Sequence, residues 1–468
     1  MKKINFLNWR LILICTCLVF SIIAVSYKVI SVQIEDSLFL KNEGKKRYIK
    51  YRTINPVRGT IYDRNNTPLA VSIINYDLYA LSGLNTDRYL KLKDAISIQD
   101  DILIEGSFSQ KTLLKKGLTL DEQKTINELH FNNIEIEIRH SRHYPLGDQI
   151  APLIGFYGKD RAQEGIEKSY DSVLSGKNGK QKYYTNAKQK IISKPIEVIK
   201  TIQGQDIQLT IDSTIQFYAY KYLVEAITNN KAKAGTVLVF DNKSGEILAI
   251  ASYPSYNPNN PKREIQKNRA LIEAYELGSV LKPIVFSKAI DKKIFSPDTH
   301  IEIPRRLELG NTIITDPKIY EKLTPKEIVA YSSQVGASKI ALKLGYEDLK
   351  NNYYSFGFTK PISINFPSAA FGLMDAKETV SDRELASLGY GYGLKVSPFQ
   401  LTAAYSTFAN NGIRKEFKLL MNDEVTSQRV ISESSARHTL EALQKVVKIG
   451  TGKKADIVGF TEGGKTGT

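Results

Sequence analysis

Hydrophobic positions fall along this chain in three textures. From Leu11 to Tyr27 the run LILICTCLVFSIIAVSY carries no charge, and after Lys28 it continues as VISVQI. About twenty apolar residues cross a bilayer core as a helix, so this run predicts a membrane-spanning anchor. Residues 61–200 alternate short strand-like runs with Gly, Asn and Pro turns, as in IYDRNNTPLAVSIINYDLYAL and IEIEIRHSRHYPLGDQIAPLIGFYG. From about residue 205 the texture changes again. IQLTIDSTIQFYAYKYLVEAI reads as a strand and then a helix, with Asp212 and Ser213 placed to cap its free amides. GTVLVFDNKSGEILAIA reads as a β-hairpin turning at Asp241–Gly245, and beyond residue 270 helical patterns dominate. The stretch 35–60 between anchor and middle region is polar and basic, and reads as an extended lead-in. The expected class is α+β, divided into an anchor over 1–34, an irregular module without a catalytic cluster over 35–204, and a second module over 205–468.

Charge adds topology. Lys2, Lys3 and Arg10 precede the apolar run, which places the N-terminus in the cytoplasm and the rest outside. A cleaved signal peptide competes, because Ala24-Val25-Ser26 has the small-x-small pattern, but the run is longer than the usual signal core. Cys15 and Cys17, the only cysteines, lie inside it. Two positions apart on a helix they point in different directions, as apolar fillers rather than a disulfide or metal pair. The net charge of +16 reads as diffuse. With no zinc-finger spacing, basic block or aromatic–basic signature, nucleic acid is not an expected partner.

The chemistry is concentrated in the second module. Ser279-Val280-Leu281-Lys282 is the chain's one Ser-x-x-Lys. Three apart on a helix, the two side chains share a face, so the Lys282 amine can take the Ser279 proton. Pro283 is tolerated only in a first helical turn, which puts Ser279 at a helix N-terminus, where free amides can stabilise an oxyanion. Alone, this motif is weak. It is followed by Ser332-Ser333-Gln334 and by Lys465-Thr466-Gly467-Thr468, and that order is the motif set of penicillin-binding proteins and serine β-lactamases.

With RGTIYDRNNTPLA, QEGIEKSYDSVLSGKNG, SYPSYNPNN, SSQVGASKIAL and GYGLKVSPFQLTAAYSTFANNG, the chain resembles the septal, FtsI-type class B penicillin-binding proteins over nearly its whole length. The resemblance implies a single-pass anchor, a pedestal (dimerisation-type) domain over 35–204, and a transpeptidase domain of helices around an antiparallel sheet. It implies that Ser279 is the nucleophile, Lys282 its base and Ser332 the relay to the leaving amine. Gln334 would bind the substrate peptide, Lys465 and Thr466 its carboxylate, and the Thr468 amide would join that of Ser279 as oxyanion hole. The implied substrate is the D-Ala-D-Ala stem peptide of peptidoglycan, with β-lactams as inhibitors and a FtsW-type glycan polymerase as division partner. No metal or cofactor is implied.

Two departures accompany the likeness. Gln334 stands where the family has Asn, lengthening the reach by about 1.5 Å. Further strands are expected after the Lys-Thr-Gly strand, so the second module reads as incomplete at its C-terminus, and poor acylation is the corresponding expectation. Ser255–Asn257 and Ser363–Asn365 also match Ser-x-Asn but lack helical context. The Gly459–Thr466 stretch formally matches a phosphate-binding loop, which needs a helix directly after it. The histidines form no zinc pattern, and Tyr390–Gly393 reads as close backbone packing. Two other readings stay open: an impaired division scaffold, and a carboxypeptidase or β-lactamase in which water resolves the ester.

Overall fold

The computed structural model describes residues 6–34, 36–98, 106–158, 161–187, 191–261, 267–370, 372–374 and 377–468. The apolar run forms one helix, Phe6–Ile34, and its span Trp9–Ile34 is the candidate membrane crossing among the described residues, with none of it buried by the rest of the protein. Cys15 and Cys17 are free and exposed on it. The lead-in is not extended throughout: Ser37–Tyr48 is helical and only Ile49–Ile54 is a strand. Straight-chain residues cost little in a helix, and Lys45, Lys46 and Arg47 occupy its last turn, where cations complement the helix dipole.

The chain divides into two compact units, Met1–Val57 with Ser175–Gly204, and Arg58–Leu174 with Gln205–Thr468. The first holds the anchor helix and an antiparallel three-stranded sheet in which Gly179–Tyr184 lies between Ile49–Ile54 and Ile196–Ile199. Charge is not diffuse. The first unit carries 17 Lys and Arg against 4 Asp and Glu, net +13, whereas the second carries 48 against 45.

In the second unit, strand Pro68–Ala80 pairs antiparallel with Ile134–His143 from Val71↔His143 to Ala80↔Ile134. The segments RGTIYDRNN and RHYPLG meet at a fully buried Glu167, which accepts 2.7 Å bonds from Arg58 Nε and Arg142 Nε. A buried carboxylate is tolerable only when paired in this way. Asp212 caps the helix Ser213–Asn230, accepting from the Thr214 and Ile215 amides at 3.0 and 3.1 Å. The hairpin pairs Gly235–Asp241 with Glu246–Tyr253, and Gly245 at φ +77° closes its turn. Those two strands form a two-stranded sheet, and Thr461–Thr468 joins no ladder and no helix.

The largest core cluster surrounds the helix Lys282–Asp291. Leu281, Ile284, Val285 and Ala289 pack there with Val335, Ile340 and Ala341 of the helix Gln334–Leu344 and with Leu385 and Leu388 of the helix Asp382–Tyr390. Eight of the ten residues of Lys282–Asp291 are buried. Packed on most sides, this helix is a core element despite Lys282, Ser287, Lys288 and Asp291, and it fixes the site at its N-terminal end.

Candidate active site

Ser279 lies in the 3₁₀ turn Gly278–Leu281 that feeds directly into the helix Lys282–Asp291, with Pro283 in its first turn. The Lys282 amide donates to the Ser279 carbonyl, and side chains three apart in a 3₁₀ turn eclipse. Ser279 and Lys282 therefore face the same side. The turn is held from behind: the Gly278 amide donates to the Gly391 carbonyl at 3.1 Å, and the Tyr405 hydroxyl donates to the Val280 carbonyl at 2.6 Å. Tyr390–Gly393 is indeed close backbone packing, since a Cβ on Gly391 would sit 1.8 Å from the Gly278 carbonyl oxygen.

Ser332 comes from a different part of the chain. It ends the helix Pro325–Tyr331 in the left-handed region, at φ 61° and ψ 35°, a conformation costing a non-glycine residue about 1–2 kcal/mol. That twist turns both its carbonyl and its hydroxyl toward Lys282. The amine donates to the carbonyl oxygen at 2.5 Å and to Oγ at 3.2 Å. Among the described residues no hydrogen bond joins Lys282 to Ser279. A neutral primary amine has two hydrogens and a lone pair, so these two bonds leave the lone pair free for a proton from Ser279.

Lys465 reaches the same hydroxyl, donating to Ser332 Oγ at 3.0 Å and to the Thr466 carbonyl at 2.9 Å. Thr466 is tied to Thr451 through hydroxyls 2.6 Å apart, and the Gly464 amide donates to the Leu443 carbonyl of the helix Glu433–Lys448. Thr468 lies against the turn that carries Ser279: a Cβ on Gly278 would be 2.7 Å from the Thr468 carbonyl oxygen and 3.9 Å from its amide nitrogen. The motifs of Ser279, Ser332 and Lys465 thus converge on one place.

Electrostatics follow from burial. Lys282 is 2% exposed, and burial, with the Lys465 charge added, lowers its pKa to about 7, against an opposing pull from Asp316. Burial alone lowers Lys465 to about 8. Two neighbouring amines are therefore brought close to neutral pH.

Sequence reading overlooked Asp316. Its Oδ1 accepts from the Gln334 amide at 2.5 Å and the Val335 amide at 3.2 Å, and its Oδ2 accepts from the Ser333 hydroxyl. Ser333 Oγ in turn caps the helix Gln334–Leu344 through the Gly336 amide at 2.8 Å. Nothing in TIITDPK marks that aspartate, because its partners lie 17–19 residues away. Gln334 is half-buried at the first position of that helix, and its side-chain amide has no hydrogen-bond partner among the described residues.

Known proteins place this geometry. The penicillin binding protein transpeptidase domain family matches residues 235–468, and the penicillin-binding protein dimerisation domain family matches 53–209. The chain is 32% identical to the peptidoglycan D,D-transpeptidase FtsI of Escherichia coli K12, over 99% of this chain and 82% of the relative. To the probable peptidoglycan D,D-transpeptidase PbpC of Pseudomonas aeruginosa it is also 32% identical, over 98% and 84%. A chain solved in work on "Structural coordination of polymerization and crosslinking by a peptidoglycan synthase complex" shares the fold, at TM-score 0.78 and 20% identity over 98% of this chain and 88% of that one. The family matches, the near full-length relatives and the three converging motifs agree: this chain belongs to the penicillin-binding peptidoglycan D,D-transpeptidases of the FtsI type.

Proposed function

We propose that this protein cross-links peptidoglycan stem peptides through an acyl-enzyme on Ser279. The observation that carries the reading is the meeting of Lys282 and Lys465 at Ser332 Oγ, 3.2 and 3.0 Å away, beside the nucleophile turn. Ser279 Oγ attacks the carbonyl of the penultimate D-alanine while its proton passes to the Lys282 lone pair. As the C–N bond to the terminal D-alanine breaks, a proton reaches the leaving amine through Ser332. An amine of a neighbouring stem peptide then attacks the ester, gives its proton back along the same chain, and restores Ser279 as the cross-link forms.

Lys465 and Thr466 are suited to the substrate carboxylate, and the Thr468 and Ser279 amides to the oxyanion. Gln334 can bind the peptide backbone. Lys2, Lys3 and Arg10 at the start of the anchor support an N-terminus in the cytoplasm and a catalytic domain outside. Residues 35–204 would serve as pedestal and 205–468 as transpeptidase, beside a glycan polymerase of the FtsW type at the division site. The test is fluorescent-penicillin labelling of the full chain in nanodiscs, followed by incubation with stem peptides. Ser279→Ala should abolish the label, and the wild type should yield dimeric peptide. Undiminished labelling of S279A would overturn the nucleophile, and a trimmed peptide without dimer would make the enzyme a carboxypeptidase.

A further inference from the structure

We propose that the membrane-proximal sheet is a lipid-binding face that docks on anionic phospholipid headgroups of the bilayer its own anchor enters. The first observation is the charge partition. A merely lysine-rich chain would carry its excess everywhere, yet the second unit is nearly balanced while the unit holding the anchor has net +13, and still +10 (14 against 4) without Lys2, Lys3 and Arg10, which precede the membrane span. Such a concentration of one sign selects an opposite surface.

The second observation is how the sheet arranges its residues. Directly opposed residues share a face, so Tyr51, Lys182 and Ile196 form one row, Thr53, Lys180 and Ile199 another, and Ile49 and Tyr184 a third. The Lys180 ammonium lies 4.5 Å from the Tyr51 ring centroid, the Lys182 ammonium 4.8 Å from that of Tyr184, and Tyr48 stacks on Tyr184. The one acidic residue in these strands, Glu197, pairs with Gln181 on the other face. Among the described residues no core cluster includes this sheet, and Tyr51, Ile196 and Ile199 are each more than half exposed. Tyrosine rings, lysine stems and aliphatic side chains without acid suit the headgroup layer, where ring and stem are shielded and the polar tips stay wet.

The third observation is reach. The helix Ser37–Tyr48 joins anchor to sheet, and twelve residues at 1.5 Å per residue make it about 18 Å long. Its Leu38, Phe39 and Leu40 are exposed, an apolar edge at the end adjoining the anchor. The sheet is therefore tethered beside the bilayer, and lipid is the occupant always present.

The experiment uses the full chain with Cys15→Ser, Cys17→Ser and Thr53→Cys, an environment-sensitive dye on residue 53, and nanodiscs containing headgroup-spin-labelled lipid. Quenching should be strong in discs containing phosphatidylglycerol, weak in pure phosphatidylcholine, and reversed by high salt. Lys180→Gln and Lys182→Gln should each reduce the docked-to-free ratio about fivefold, which corresponds to about 1 kcal/mol per basic residue near an anionic surface. Penicillin labelling of these variants, which sit far from Ser279 in sequence, reports that they fold. Equal quenching in both lipids would overturn the proposal. So would shielding of the probe only on co-reconstitution with a membrane protein, which would make the face a protein interface.

Discussion

The Lys282 amine lies 2.5 Å from the Ser332 carbonyl oxygen and 3.2 Å from the Ser332 hydroxyl, so one left-handed residue holds the amine twice. Backbone holds the amine in place, and the hydroxyl, shared with Lys465 at 3.0 Å, is the proton carrier of the mechanism proposed above. Ser332→Ala and Ser332→Gly both remove the hydroxyl, and each should slow penicillin acylation at least about 100-fold, the lower range for loss of a positioned proton carrier. They should differ in stability. Glycine relieves the positive φ and should exceed the alanine variant by about 1 kcal/mol in denaturant unfolding. Equal stability would remove the conformational part of this account.

Activity should follow a bell in pH. Lys282 is lowered to about 7 by burial and by Lys465; as the neutral base of the proposed mechanism it should make acylation rise as pH passes through about 7. Lys465 is lowered to about 8 by burial; if, as proposed, it meets the substrate carboxylate as a cation, the rate should fall above about 8. The second-order rate of penicillin acylation from pH 5 to 10 checks both limbs. A rate that still climbs at pH 10 would show that the Lys465 charge is not needed.

Asp316 acts on the site through two structures, the cap of the helix Gln334–Leu344 and the field at Lys282. Asp316→Ala loses the bonds to Ser333, Gln334 and Val335, and the unfolding free energy should fall by about 1–2 kcal/mol, as for other lost caps. Asp316→Asn keeps an acceptor but removes the charge. Because that charge raises the Lys282 pKa, its loss should move the acid limb of the acylation profile to lower pH while the fold persists. A purely structural aspartate would leave that limb where it is.

Gln334 makes no side-chain hydrogen bond among the described residues and begins a helix already capped by Ser333 and Asp316. Shortening it to Asn removes no hydrogen bond among the described residues, so Gln334→Asn should change stability by less than about 0.5 kcal/mol. The amide would be drawn back about 1.5 Å, to the reach of the Asn that the resemblance implies at this position, and acylation should become faster. A slower reaction would mean that the longer side chain is matched to this cleft.

Much of this architecture can be read from residue pattern. The unbroken apolar run gives the anchor, period and turn chemistry give the hairpin at 235–253, and Pro283 fixes where the nucleophile helix begins. Ser279, Lys282, Ser332 and Lys465 stand out because three motifs keep their order. What could not be read depends on contacts between distant segments. The role of Asp316 exists only once a loop meets a helix end 18 residues later, and the left-handed Ser332 follows from packing rather than from its residue type. The helix Ser37–Tyr48 was hidden by its own polarity, since lysine and glutamate suit a helix as well as a loop. The charge concentration appears only when 175–204 folds back beside 1–57.

Gly391 sets the turn that carries Ser279 by having no side chain. Its carbonyl accepts from the Gly278 amide at 3.1 Å, its own φ is +107°, and a Cβ there would lie 1.8 Å from the Gly278 carbonyl oxygen. Gly391→Ala must therefore push the turn carrying Ser279 away from the helix Asp382–Tyr390, as well as strain its own backbone. Overpacking and a disfavoured φ each cost about 1–3 kcal/mol, so destabilisation of about 3 kcal/mol is expected. Acylation should suffer more than the fold, because the turn carrying Ser279 shifts relative to Ser332 and Lys465, which come from other segments. Penicillin acylation measured on the folded fraction at low temperature separates the two effects. A normal acylation rate in that fraction would mean that the contact supports stability alone and that the nucleophile is positioned from the Tyr405 side, through its bond to the Val280 carbonyl.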